Sequence, residues 1–91
     1  MSLNTKQKQE LKGRAHKLKP AVMLGNQGFT EAVKKEIDRA LYDHELIKVR
    51  IASTDRDMRR ALFNEICEAS GAELLQVIGS IGVLYRARTD A

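Results

Sequence analysis

The spacing of hydrophobic positions changes several times along the chain, and each change marks an element. Leu11, Ala15 and Leu18 recur at i, i+4 and i+7, a thin apolar stripe on a first helix that Asn4 or Thr5 can cap and that runs to about Lys17. Pro20 cannot continue a helix, and Ala21-Val22-Met23-Leu24 is a four-residue apolar run whose length and following Gly25 predict a buried strand. Helical spacing returns in Val33, Ile37, Ala40, Leu41 and His44, which predicts a second helix over Glu31–His44 with Lys34, Lys35, Asp38 and Arg39 on its opposite side. Period two then takes over in Leu46–Ile51: Ile47, Val49 and Ile51 share one sheet face, Leu46, Lys48 and Arg50 the other, which is expected to be partly wet. A third helix is predicted over residues 55–70, capped by Ser53 or Thr54 and stopped by Gly71, with Met58, Leu62, Ile66 and Ala69 as its buried stripe. Glu73–Ile78 and residues 81–86 are β-rich runs joined through Gly79-Ser80, a hairpin signal.

The order is therefore αβαβαββ. Helical crossovers between the first three strands imply parallel pairings there, and the terminal hairpin is antiparallel, so an α/β fold is expected: one domain, two layers, a four-stranded mixed sheet with at least one face covered by helices. Ninety-one residues suffice for one modest core and are too few to hide a deep cleft easily, which disfavours an enzyme. No apolar run approaches the roughly 20 residues of a membrane helix, the N-terminus lacks a signal-peptide apolar core, and the single Cys67 cannot form an internal disulfide. A soluble, cytoplasmic monomer with no membrane partner is expected.

Charge sharpens this picture. Residues 1–20 carry Lys6, Lys8, Lys12, Arg14, Lys17 and Lys19 against the single acid Glu10, whereas the remainder holds ten basic and eleven acidic side chains. The whole excess of the +4 chain thus lies at one end, which points to a polyanionic partner, nucleic acid before membrane, because no strongly apolar face accompanies it. This basic segment feeds through the first strand into Gly25-Asn26-Gln27-Gly28, and Thr30 can cap the helix that follows. Glycines there let main chain approach a ligand closely, and the free N–H groups of a helix start favour anions. Taken alone, the two glycines have a plainer reading: Gly25 ends a strand and Gly28 occupies a turn with positive φ.

The run Thr5-Lys6-Gln7-Lys8, Leu11-Lys12-Gly13, Leu18-Lys19-Pro20, Gly25-Asn26-Gln27-Gly28 and His44-Glu45-Leu46-Ile47-Lys48-Val49 resembles the YhbY type of the chloroplast RNA-splicing and ribosome-maturation (CRM) domain over nearly the whole chain. The resemblance implies an RNA-binding domain similar in shape to the C-terminal domain of translation initiation factor three. It also implies association with rRNA in precursors of the large ribosomal subunit, with Gly25, Asn26, Gln27 and Gly28 as the loop that touches RNA. Some relatives continue in a basic tail, whereas this sequence reads Arg86-Ala87-Arg88-Thr89-Asp90-Ala91, so no RNA contact of that kind is expected.

The expected mechanism is backbone clamping, in which the 25–28 main chain approaches phosphates, Asn26 and Gln27 bond sugar or base edges, and Lys6, Lys8, Lys12, Arg14, Lys17 and Lys19 set the electrostatic footprint. Lys48 and Arg50 extend it if their sheet face is open. Aromatic stacking is a minor element: Phe63 reads as core, Tyr85 as an exposed end-strand residue, and Phe29 as a hydrophobic staple beside the Thr30 cap. No catalytic residue, metal site or cofactor is predicted, because His16 and His44 lie far apart and neither stands at ligand spacing from Cys67. The alternative is an assembly factor that docks on a protein through its helices while the basic end only steers the encounter.

Overall fold

The structure, a computed structural model, describes residues 3–88; the chain end at Thr89-Asp90-Ala91, on which part of the tail reading falls, lies outside the described residues. The elements are α1 (Thr5–Ala15), β1 (Pro20–Leu24), α2 (Glu31–His44), β2 (Leu46–Ile51), α3 (Arg56–Ser70), β3 (Glu73–Ile78) and β4 (Ile81–Tyr85).

Local chemistry sets the helix starts. Asn4 closes a capping box on α1: its Oδ1 accepts the Gln7 N–H at 2.8 Å, and Gln7 Oε1 accepts the Asn4 N–H at 3.0 Å. Thr30 caps α2 by accepting the Val33 N–H at 3.2 Å. The cap of α3 is Asp55 and not Ser53 or Thr54, because its carboxylate accepts the N–H groups of both Asp57 and Met58, at 2.9 and 3.2 Å. Ser53 stands one step back, its hydroxyl accepting the Asp55 N–H.

The sheet order is β1-β2-β4-β3, with β1 parallel to β2 and both β2–β4 and β4–β3 antiparallel. β2 and β3 run in the same direction, but the expected direct pairing between them does not occur because β4 inserts between them. β4 suits the central place: Val83 and Leu84, on opposite faces, are both buried, whereas Val77 and Ile78 of β3 are exposed. Tyr85, expected to be exposed, is consequently half-buried against the smaller core.

Two cores flank the sheet. α2 and α3 bury Ile37, Leu41, Phe63 and Ile66 against Val22, Leu24, Ile47, Val49, Ile51 and Leu84. α1 lies on the other face, setting Leu11 and Ala15 over Leu46, Leu75 and Val83. The two-layer architecture thus gains a partial third layer, partial because the buried stripe of α1 comprises only Leu11 and Ala15. Leu18 falls beyond the end of α1 and is exposed, as are His44, Met58 and Ala69, which the periodicity placed inside. In α3 the stripe is turned by about one residue to Phe63, Ile66 and Ser70. Ser70 is admitted to the interior because its hydroxyl donates to Ile66 O at 2.7 Å and accepts the Ala72 N–H.

The last basic residues hold the fold together. Arg86 donates to Asp38 Oδ1 at 3.0 Å, Ser70 O at 2.8 Å and Asp38 O at 3.0 Å, tying the end of β4 to both α2 and α3. Arg88 donates to Tyr42 O and Asp43 O at the C-terminal end of α2, where free carbonyls need donors, and its guanidinium lies over the Tyr42 ring.

Candidate nucleic-acid interface

β1 and β2 are parallel, so the turn that follows β1 stands at the C-terminal end of both strands. The turn is closed by a hydrogen bond from the Gly28 N–H to Gly25 O at 3.1 Å and exposes Gly25, Asn26 and Gln27. Gly28 has φ +72°, a conformation that L side chains rarely adopt, so the turn itself accounts for this glycine. Gly25 is different. Its φ is not positive, and a Cβ built on it meets nothing within 4 Å, so neither conformation nor packing within the fold demands glycine there. Phe29 is partly buried against the larger core, in line with an apolar anchor beside the cap and not with a free stacking surface.

The basic residues gather mainly at the other end of β1. Arg14 and Lys19 line a cleft of about 240 Å³ together with Ala21, His44 and Leu46. Lys17 is exposed in the segment between α1 and β1, and Lys6 is exposed on α1. Lys12 is half-buried, while Lys8 is paired with Glu73 at 3.7 Å, so part of its charge is answered within the fold. The five residues of β1 span roughly 16 Å at strand rise, so the 25–28 turn and the cluster of Arg14 and Lys19 stand at opposite ends of one strand and not in one pocket.

The sheet face between those ends is open. Strand register sets Met23, Arg50, Ile81 and Ile78 in one row across all four strands, and Pro20, Lys48, Val83 and Gln76 in the next. α1 covers Val83 but leaves Arg50 exposed, Lys48 half-exposed, and Met23 and Ile78 each 57% exposed. The sheet face that carries Lys48 and Arg50 is therefore open beside α1.

Among the described residues no group of three or more His, Cys, Asp or Glu side chains could hold a metal ion, and no helix is long and apolar enough to cross a membrane. Burial first, and the Glu73 carboxylate second, push the Cys67 thiol above its ordinary value, which favours the protonated form at neutral pH. Sequence reasoning passed over Arg56, Arg59 and Arg60, which α3 collects on one side at i, i+3 and i+4; the spacing was visible, but attention there went to Asp55 and Asp57 as residues suited to the helix start.

Comparison with known proteins follows the same lines. The CRS1 / YhbY (CRM) domain model matches residues 3–86. A protein of Haemophilus influenzae named "RNA-binding protein" is 51% identical over 90 residues, covering 99% of this chain and 91% of its own length. A Pseudomonas aeruginosa protein named "Probable RNA-binding protein" is 46% identical over 86 residues, covering 94% and 83%. The solution structure of a hypothetical protein from Staphylococcus aureus superposes with a TM-score of 0.84 at 38% identity, covering 98% of this chain and 93% of that one.

Proposed function

The chain belongs to the CRS1 / YhbY (CRM) domain family, and on that footing we propose that it binds RNA along β1, with rRNA in precursors of the large ribosomal subunit as its target and ribosome maturation as its role. One observation carries the reading: Gly25 is exposed in a turn at the end of the sheet, at a position where the fold has no need of glycine. A close approach of ligand to main chain supplies the missing reason. From that turn the RNA backbone runs across the open face past Met23, Arg50 and Lys48 toward Lys12, Arg14, Lys17 and Lys19, with Lys6 at the margin. Asn26 and Gln27 bond sugar or base edges, and Lys8 contributes least because Glu73 already pairs with it. The protein works as a cytoplasmic monomer without catalysis or cofactor.

Gly25→Asp tests this cleanly. The new side chain has open space and no adverse φ, so thermal stability stays at the wild-type value, while its carboxylate stands where phosphate is expected. Affinity for a fluorescent large-subunit rRNA fragment falls by roughly tenfold or more, as juxtaposed like charges require. Unchanged affinity in a fully folded variant removes the turn from the interface.

A further inference from the structure

A groove of about 650 Å³ lies away from that track, between α3 and β3. One wall consists of Arg56, Arg59 and Arg60. The other is formed by four consecutive residues of β3, Leu74, Leu75, Gln76 and Val77. Side chains of consecutive strand residues alternate between sheet faces, so a groove touching all four follows the main-chain edge of the strand. That edge is unpaired, because β3 ends the sheet and its only neighbour is β4. A register shift between Leu74 and Gln76 interrupts the ladder with β4, whereas residues 76–78 pair with it regularly and offer a flat stretch on their outer side.

Charge and polarity narrow the occupant. No carboxylate pairs with Arg56, Arg59 or Arg60 among the described residues, and Arg59 donates only to Ser53 O, at 2.6 Å. Arg56 and Arg60 are exposed, and Val77 stands beside them 45% exposed. RNA phosphates would satisfy the guanidinium groups but leave the strand edge and the apolar wall unused, and no aromatic residue lines the groove for a base to stack on. An extended peptide uses every part: its main chain bonds the edge, alternate carboxylates reach the guanidinium forks, and apolar side chains lie on Val77.

We propose that this groove takes a short acidic segment of a partner protein as an added strand along β3. The site is separate from the RNA track and does not depend on it.

The test uses the full chain labelled with nitrogen-15 and two acetylated hexapeptides, one alternating glutamate with valine and one alternating lysine with valine. The glutamate peptide shifts the amide signals of residues 76–79 and slows hydrogen exchange along the outer edge of β3; the lysine peptide does neither. Arg56→Glu with Arg60→Glu, both at exposed positions, weakens binding of the glutamate peptide about tenfold, as the loss of two exposed ion pairs predicts. Gly25→Asp binds that peptide like wild type, which separates failure of this site from failure of the RNA reading. Absence of shifts at residues 76–79 with millimolar glutamate peptide, or equal shifts with the lysine peptide, overturns the proposal. So does displacement of the peptide by an oligouridylate, which would make the groove a phosphate site.

Discussion

Replacing Lys12, Arg14 and Lys19 together with glutamine weakens RNA binding about a hundredfold near 0.1 M salt and barely at all near 1 M. The difference follows from counterion release: for single strands the slope of log affinity against log salt is about −0.7 per neutralised phosphate, so three lost contacts flatten it by about two. A slope difference of two over one decade of salt is about two decades of affinity. The substitutions spare the fold, since Arg14 and Lys19 are exposed and none of the three is ion-paired among the described residues. Binding isotherms at four or five salt concentrations decide the matter. A weaker but equally salt-dependent complex would mean that these side chains do not contact phosphates and only shape their surroundings.

The second large effect concerns stability. Gly82 lies in β4 directly beneath Phe63, and a Cβ there would clash with Cε1 and come within 2.8 Å of Cδ1 and Cζ of a ring that is fully buried. The ring has nowhere to go, because it fills the core between α3 and the sheet. Gly82→Val therefore destabilises the fold by about 3 kcal/mol, the upper range for overpacking, and that is a large share of the roughly 5–15 kcal/mol of a domain. The cause is checked with a cycle in urea unfolding: Gly82→Ala costs less in a Phe63→Leu background than in wild type, because the shorter side chain vacates the contested space. Strictly additive effects would show that ring contact is not the reason for this glycine.

Such features indicate how much a single sequence discloses. The bounds of β3 were legible from a β-rich run set between Gly71 and Gly79-Ser80, and those of α2 and β2 from local periodicity. The two faces of β2 were legible for the same reason, since alternation decides them residue by residue. The place of β4 between β2 and β3 was not, because strand order depends on which pairings bury the most apolar surface across the whole sheet. The stripe of α3 was misjudged by one residue because Ser70 reads as polar, and its two internal hydrogen bonds exist only in the folded chain. Gly82 gave no signal at all, since its role requires Phe63 from another element.

The candidate site divides in the same way. Gly25-Asn26-Gln27-Gly28 and the basic N-terminal residues stood out as local patterns, and their placement at opposite ends of β1 came from the fold. Sequence alone set no distance between the turn and the basic residues, whereas β1 holds them roughly 16 Å apart, with the Met23 and Arg50 pair of β1 and β2 between them. The charge of Arg86 and Arg88 belongs to the fold, as their bonds to α2 make plain.

The most direct test of the central claim is crosslinking of the protein to RNA in cells, followed by sequencing of the recovered fragments, with Gly25→Asp processed in parallel. Reads concentrated on a few helices of large-subunit rRNA precursors, and lost in the variant, are the predicted result. Reads scattered over unrelated transcripts, or unchanged by the variant, would contradict a maturation factor that grips rRNA through this turn.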